Sequence, residues 1–376
     1  MSLAARVRAS VGFHGRQLAL SVAHNVALAP NGIPDRPRVY LPSALHRRHP
    51  CWETYETHPP LAYVAYPVAE MAHWFTCTPR LLRKSFIIEV EHVLAMGRDI
   101  SDWSRGLRAV TRINETIASD RCRDVLFFSR GLAEHSRPYV WPELWPKLSV
   151  VRLAYPSQDV YVPPPRPFTI LTIASRWSDK GVPEVLDVFR ALRQSFGREV
   201  RMILVCDVVP ADVTLPDGVE HVNVPRMDDA MKALMYRAAD ALVLPCYSET
   251  ICCFNEAYAF AVPVVTTRIH HGDEFVVEGE TGHLVDAPVH SYSGGYGVRW
   301  RTWPEFLDDL ARRRRRGELG PVVDATLEAL RGMIRDRDRL ARMRSAARRF
   351  HAAHLTPERR NEKLRAAYAR ATQSTP

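Results

Sequence analysis

The sequence predicts an α/β protein with two domains, each built around a parallel β-sheet. Short apolar runs of strand length alternate with segments of helical periodicity along most of the chain. At 376 residues, 46% of them hydrophobic, the chain is too long for one ordinary core. The segment 154–167 contains three consecutive prolines, which favour an extended linker. We therefore expect domains at residues 1–157 and 158–355, followed by a C-terminal helix at 356–376.

The amino-terminal half carries the weaker pattern, because its first 35 residues are poorly periodic and show no strand followed by a glycine-rich turn. Apolar runs there predict strands at 39–41, 61–65, 86–90, 125–128 and 148–153, with a helix at 110–117. The other half alternates more regularly and predicts strands at 169–174, 201–206, 219–224, 241–245 and after Pro263, with helices at 182–192, 228–237 and around Glu256. From residue 307 onward the chain is basic and almost wholly helical in pattern.

Composition narrows the classes of function. No apolar run approaches the roughly 18 residues that span a bilayer, and the amino terminus lacks the apolar core of a signal peptide. The seven cysteines are odd in number and contain no CxxC pair. We therefore expect that the protein has no structural zinc site. We also expect it to be cytoplasmic, either free or bound peripherally to the inner face of the membrane.

The formal net charge of +9 predicts an anionic partner. Nucleoside diphosphates, anionic lipid surfaces and nucleic acid all qualify. Aromatic residues are not placed among the basic ones as in RNA-recognition modules, so we do not expect nucleic-acid binding. The densest basic run, Arg312 to Arg316, follows a predicted helix at 304–310. We interpret it as a solvated face, with peripheral contact to an anionic membrane as the alternative.

The segment 239–267 carries the first chemical signal. An apolar strand ending at Pro245 is followed by a polar turn, a short helix and, after Pro263, a second apolar strand. A loop that opens a helix at the carboxyl end of a parallel strand is a natural phosphate site, because helix N-termini present N–H groups without helical partners. Glu249 and Glu256 flank this point, and carboxylates suit sugar hydroxyls. The pattern indicates a nucleotide-sugar site.

A second signal lies in the segment 173–181, IASRWSDKG. Arg176 and Lys180 fall between a predicted strand and a predicted helix, so both can project from the carboxyl edge of the sheet. Cations at that edge would stabilise the negative charge that develops on a departing nucleoside diphosphate.

These two segments together resemble the donor site of retaining glycosyltransferases of family 4, which have the GT-B fold. The order small-polar, Glu, short insert, Glu-Ala, apolar, Pro-Val-Val carries the resemblance. It implies two Rossmann-like domains facing a cleft, the second binding the donor and the first the acceptor, with the C-terminal helix crossing back to the first. The family has one more residue between its glutamates than separates Glu249 from Glu256. Either this loop is shorter or Ser248 takes the first position.

The resemblance also implies roles for individual residues. Arg176 and Lys180 would hold the donor diphosphate. Glu249 would bind hydroxyls of the transferred sugar, and Glu256 those of the ribose. Backbone contacts to phosphate would come from Ser248, Thr250 and Ile251, and contacts to the base from Val224 and Pro225. His92 follows a predicted strand of the first domain, where it would lie near the acceptor; a packed structural histidine is the alternative.

No metal or other cofactor is expected, since the nucleotide sugar is a substrate. Metal-dependent glycosyltransferases of the other major fold use a DxD motif. Its only counterpart is Asp336-Arg337-Asp338, in a region of helical pattern where residues two apart point to different sides. The pairs His46/His49 and His351/His354 are interpreted as surface residues.

We therefore expect a hexosyl-type glycosyltransferase of polysaccharide or glycoconjugate biosynthesis. It would move a sugar from a UDP- or GDP-sugar to a glycan, lipid-linked or small-molecule acceptor, with retention of anomeric configuration. Two alternatives stay open. One is a nucleotide-sugar epimerase or hydrolase on the same fold. The other is a non-catalytic protein that binds a nucleotide sugar or docks on a membrane-bound assembly complex.

Overall fold

A computed structural model describes residues 39–40, 71–75, 85–97, 103–159, 166–174, 176–223, 229–248, 250–269, 272–291, 300 and 302–372. The chain divides into two compact units. The first comprises Met1–Phe128, Ser136–Val151 and Asn361–Pro376, and the second comprises Ser129–His135 and Arg152–Arg360.

The first unit contains one parallel sheet of five described strands. In spatial order they are β1 (Val39–Tyr40), β2 (Met71–Phe75), β3 (Phe86–Val90), β4 (Cys122–Phe127) and β5 (Leu148–Val150). Strand β3 is buried throughout, as expected of a parallel strand covered on both faces, and it occupies the predicted residues. The strand predicted at 61–65 lies outside the described residues.

Three short helices are described between residues 103 and 136. They are α1 (Trp103–Arg108) and α2 (Val110–Ala118) in the first unit, and α3 (Arg130–Ser136), which falls almost wholly in the second unit. Short 3₁₀ helices occupy Val93–Gly97, Arg137–Tyr139 and Pro142–Lys147. Helix α2 buries one side, including Ile113 and Ile117, which agrees with its amphipathic pattern.

The second unit contains a parallel sheet of six described strands. They are β6 (Phe168–Ala174), β7 (Val200–Cys206), β8 (Val219–Val222), β9 (Ala241–Leu244), β10 (Val264–Thr267) and β11 (Gly282–Val285). Their spatial order is β11-β10-β9-β6-β7-β8. The chain enters the sheet near its centre with β6 and adds β7 and β8 toward one edge. It then crosses back to the other side of β6 and adds β9, β10 and β11 toward the opposite edge. This is the doubly wound order of Rossmann folds.

Helices surround this second sheet. They are α4 (Val182–Phe196), α5 (Asp229–Ala238), α6 (Cys252–Ala259), α7 (Gly272–Phe275), α8 (Trp303–Arg315), α9 (Gly320–Arg335) and α10 (Arg337–His354). Apolar residues of α4, α8, α9 and α10 share one buried core with the strands. The final helix, α11 (Pro357–Thr372), contributes to a different cluster. That cluster contains Ile87, Leu126, Val151, Leu364, Ala367, Tyr368 and Ala371.

The basic run differs from its predicted structure. Arg312 to Arg315 form the last turn of α8 instead of following a helix that ends at residue 310. The prediction of a wholly solvated face is wrong for Arg314, whose side chain is 25% exposed and pairs with the buried carboxylate of Glu184 at 2.7 Å. Arg313 pairs with Asp309 one turn earlier. These pairs favour continuing the helix through the run.

Two further predictions concern possible metal ligands. Asp336 accepts a hydrogen bond from the backbone N–H of Arg339 and so caps α10. His351 is buried and its Nε2 lies 2.9 Å from the carbonyl of Tyr155, so its prediction as a surface residue is wrong. The described ranges contain no cluster of three or more His, Cys, Asp or Glu suited to a metal ion. Nor does any helix within them combine the length and apolar character that crossing a bilayer requires.

Candidate active site

The candidate active site lies at the carboxyl ends of β6 and β9. The chain reverses direction across the second sheet between these neighbouring strands, and α/β proteins bind ligands where such a reversal occurs. The loop after β6 carries Arg176 and Lys180, and the segment after β9 carries Ser248 and Thr250. Residues that are about seventy positions apart in sequence therefore meet at one edge of the sheet.

Arg176 is held on three sides. Its Nε donates to Asp179 Oδ2 at 2.9 Å, and its Nη2 donates to Ser248 Oγ at 3.2 Å. The face of its guanidinium lies over the ring of Trp303, with Cζ 4.4 Å from the ring centroid. The side chain is still 43% exposed. The guanidinium is therefore oriented without a ligand and keeps an accessible edge.

Asp179 joins the two loops. Its side chain is only 1% exposed, and its carboxylate accepts hydrogen bonds from both Arg176 and the hydroxyl of Ser248. Its backbone carbonyl accepts from the N–H of Tyr247 at 2.7 Å. Because a buried carboxylate is costly unless it is paired and hydrogen-bonded, these bonds fix both loops relative to each other.

Gly181 permits the close approach of these loops. Its φ is +72°, and a Cβ at this position would lie 2.3 Å from the carbonyl oxygen of Pro245. Glycine alone avoids both the left-handed backbone cost and this collision. The glycine that follows Lys180 is thus required by the geometry of the site.

Lys180 is buried beside the loop that opens α6. Its side-chain Nζ donates to Thr250 Oγ1 at 2.6 Å. Burial lowers the pKa of Lys180, the positive charge of Arg176 lowers it further, and Asp179 opposes both effects. A buried ammonium beside a guanidinium gains stabilisation from any anion that binds there.

Glu256 lies one turn into α6, which begins at Cys252 without a side-chain cap. Its carboxylate accepts from Lys232 Nζ at 2.8 Å and from the hydroxyl of Tyr236 at 2.9 Å. Burial and the negative charge of Glu256 raise the pKa of Tyr236 well above its usual range, so this hydroxyl stays a donor. The carboxylate is oriented by two α5 side chains and remains 14% exposed.

Comparison with known proteins identifies the architecture. Residues 167–291 match the model of a family described as Glycosyl transferases group 1. The sucrose-phosphate synthase of Thermosynechococcus elongatus superposes with a TM-score of 0.58 at 14% identity, covering 82% of this chain and 76% of that one. The chain has the GT-B fold. A glycosyltransferase from Rickettsia africae gives a TM-score of 0.54 at 12% identity, with 85% and 84% coverage.

A third GT-B structure carries ligands. Anabaena Alr3699/HepE, solved in complex with UDP and glucose, has a TM-score of 0.54 at 12% identity and covers 81% of this chain and 79% of its own. No curated protein sequence matches the chain. The family match and the GT-B fold together support sugar transfer as the type of chemistry.

The GT-B structure brings together most of the residues that the sequence singled out for the donor. Arg176 is hydrogen-bonded to Ser248 and Lys180 to Thr250, Ile251 is the residue before α6, and Glu256 lies within α6. The other predictions in this half, Glu249, Val224 and Pro225, lie outside the described residues.

His92 belongs to the first unit and follows β3 directly. It is 4% exposed, and its Nδ1 accepts from the N–H of Leu94 at 3.2 Å. Its ring packs edge-on against Tyr139 at 5.6 Å. These contacts stabilise the 3₁₀ helix that begins at Val93, and a role for His92 near the acceptor stays a prediction.

Sequence reasoning missed several residues that shape the site. Asp179 lies inside the segment that was singled out, and its place between two cations was a usable signal. Lys232 and Tyr236 are spaced one helical turn apart and contact Glu256. The sequence pattern of α5 does not indicate that this helix packs beside α6. Trp303 lies beyond the matched residues 167–291 and had no signal in the sequence.

Proposed function

We propose that the protein transfers a sugar from a nucleoside-diphosphate sugar to an acceptor, with retention of anomeric configuration. The observation that carries the proposal is that Arg176 and Lys180 both lie where the strand order of the second sheet reverses, beside the beginning of α6. This arrangement offers two cations and a helix N-terminus to one anion.

In this proposal the donor diphosphate contacts the accessible edge of Arg176 and the ammonium of Lys180. The guanidinium is planar and suits two phosphate oxygens, whereas the ammonium acts as a point charge. The bound diphosphate favours the charged form of Lys180 and so offsets the effect of burial on its pKa. Both interactions strengthen as the sugar–phosphate bond breaks, because negative charge then increases on the leaving diphosphate.

The proposed ribose contact is the carboxylate of Glu256. A carboxylate oxygen can accept hydrogen bonds from ribose hydroxyls while Lys232 and Tyr236 occupy its other acceptor positions. The charge of Lys232 also reduces the repulsion between Glu256 and the donor phosphates. Lys232 and Tyr236 thus orient the ribose contact without touching the reacting atoms.

Retention constrains the chemical step. The acceptor oxygen attacks the anomeric carbon from the face that the diphosphate leaves, and a departing phosphate oxygen takes the acceptor proton. The alternative is a double displacement through a protein carboxylate. We propose UDP as the first nucleotide to test. The Anabaena structure was solved with UDP and glucose, and that of a pneumococcal O-GlcNAc transferase with UDP and GlcNAc.

The proposal is tested by binding and turnover on the same preparations. Thermal melting with UDP, GDP and ADP identifies the base, since a ligand that binds only the folded protein raises its melting temperature. Release of nucleoside diphosphate from the corresponding sugar conjugates then measures turnover, with EDTA added to one series. We expect one nucleotide to stabilise the wild type, Arg176→Ala and Glu256→Ala to reduce that shift without abolishing binding at millimolar nucleotide, and EDTA to leave turnover unchanged.

The outcomes separate the alternatives. Stabilisation by a nucleotide without turnover, across a panel of sugar conjugates and acceptors, would favour the non-catalytic binding protein. Interconversion of the sugar without transfer would favour the epimerase. If no nucleotide shifts the melting temperature at millimolar concentration, the donor site assignment is wrong.

A further inference from the structure

We propose that Trp303 is a positioning residue that fixes the orientation of Arg176 toward the donor diphosphate. This inference rests on the proposed function and adds to it a residue outside the family match, which ends at residue 291. The guanidinium of Arg176 lies over the indole ring at 4.4 Å, which is within the range of a strong cation–π contact. Trp303 touches Arg176 but has no role in the bond that breaks.

The three contacts of Arg176 leave one defined edge for a ligand. Asp179 takes Nε, Ser248 takes Nη2, and Trp303 covers one face. Among the described residues, Nη1 has no hydrogen-bond partner. A mobile arginine side chain loses rotamer entropy when a ligand fixes it. Because Trp303 already holds the planar guanidinium in one orientation, donor binding does not carry that entropic cost.

Contacts along helix α8 restrict the movement of Trp303. Trp303 is the first residue of the helix and its ring packs against buried Phe306 at 5.2 Å. About three turns later, on the same side of the helix, Arg314 binds the buried carboxylate of Glu184 through Nε and Nη2 at 2.7 and 3.1 Å. Its Nη2 also donates to the carbonyl of Ser178 at 3.1 Å. Helix α8 therefore contacts the loop after β6 at both of its ends.

These contacts explain why the basic run is not a simple surface feature. Arg314 donates a hydrogen bond to the carbonyl of Ser178 in the loop after β6, and Trp303 contacts Arg176 in the same loop. Loss of the indole would leave Arg176 bonded to Asp179 and Ser248 but free to tilt about those bonds. We therefore expect a weaker donor complex with an intact fold.

The test is a double-mutant cycle on nucleoside diphosphate affinity, measured by titration calorimetry with UDP or whichever base the melting screen selects. Trp303→Leu should weaken binding by about three- to tenfold, and Trp303→Phe, which keeps an aromatic face, should weaken it less. In an Arg176→Ala background, Trp303→Leu should have no further effect. The matched control is Leu310→Val, a buried change on the same helix that should lower the melting temperature and leave the affinity unchanged.

The two proposals fail in different ways. If the wild type binds no nucleoside diphosphate, the proposed function is wrong. If the wild type binds and Arg176→Ala weakens binding, but Trp303→Leu has the same effect in both backgrounds or none in either, the positioning role of Trp303 is overturned while the donor site stands.

Discussion

The two sheets place different chemistry at equivalent positions. In the first unit the described strands follow one another in sequence order, and the histidine at the end of β3 accepts a backbone N–H from the turn that follows it. In the second unit the order reverses between β6 and β9, and the residues at the strand ends bond to one another across two loops. His92 completes its own turn, whereas Arg176 and Lys180 face a shared edge.

The difference lies in how far along the sequence the contacts of each strand-end residue reach. What distinguishes the second sheet is the meeting of two loops from distant parts of the sequence, where the buried carboxylate of Asp179 holds both Arg176 and the hydroxyl of Ser248. Such a cluster is costly to assemble, since it brings buried charges together, and proteins keep such arrangements mainly where they function. The following changes test that distinction.

The largest expected effect is on Lys180. Lys180→Met removes the buried ammonium and should weaken nucleoside diphosphate binding by about 10- to 100-fold, the range of one charge-assisted hydrogen bond. Because burial disfavours the charged lysine, relief of that burial should offset part of the stability that is lost with its hydrogen bonds, so the change should affect binding more than the free energy of unfolding. His92→Ala is the matched change in the first unit, and calorimetry should find its nucleotide affinity equal to that of the wild type. Equal losses in both variants would erase the contrast between the sheets.

The close approach of the loops is tested by a pair of glycines with similar backbone angles. Gly181 has φ +72° and its Cβ would collide with Pro245, whereas Gly317 has φ +74° and nothing within 4 Å of that position. Gly317→Ala should lower the free energy of unfolding by about 1 kcal/mol, the cost of a left-handed alanine. Gly181→Ala should cost at least about twice as much and also weaken nucleotide binding. Chemical denaturation measures both, and equal costs would show that the loops do not need this contact.

A smaller effect is expected from the hydroxyl that orients Glu256. Tyr236→Phe and Tyr258→Phe each remove one buried hydroxyl, the second bonded to Thr281 at 2.9 Å, and each should cost about 1 kcal/mol of stability. Only Tyr236→Phe should also weaken nucleotide binding, by about two- to fivefold, because it loosens the proposed ribose contact. An effect of Tyr258→Phe on affinity as large as that of Tyr236→Phe would argue against a specific role for Glu256.

The smallest change is in the pH dependence of binding. The pKa of Lys180 is lowered in the free protein by burial and by Arg176, and a bound diphosphate raises it again. Binding should therefore take up protons at pH values between the free and bound pKa, and affinity should fall as pH rises through that interval. Calorimetry in buffers of different ionisation enthalpy measures the uptake. Lys180→Arg should take up fewer protons on binding, because arginine does not titrate in that pH interval. An unchanged proton uptake in this variant would assign the uptake to another group.

The parts of the fold that sequence predicts are those with local signals. Strand β3 follows from an apolar run and helix α2 from amphipathic periodicity, and the loop at 176–181 follows from the break between two such segments. The end of α8 was misplaced because the arginine run resembles a boundary, while the structure shows it paired with Asp309 and Glu184 inside the helix.

The parts that sequence does not predict depend on distant contacts. Trp303 meets Arg176, and Lys232 meets Glu256, only after the strands have assembled in their reversed order. The buried state of His351 likewise depends on the carbonyl of Tyr155, far away in sequence. No periodicity or composition within one segment encodes such pairs, so these residues required the structure.

The most direct measurement is the crystal structure of the protein with UDP, or with whichever nucleotide the melting screen selects. The account predicts phosphate oxygens within hydrogen-bonding distance, about 2.7 to 3.2 Å, of both Arg176 and Lys180, with the ribose hydroxyls at Glu256. A nucleotide bound elsewhere, or one whose phosphates contact neither cation, would contradict the central claim that the reversal point of the second sheet is the donor site.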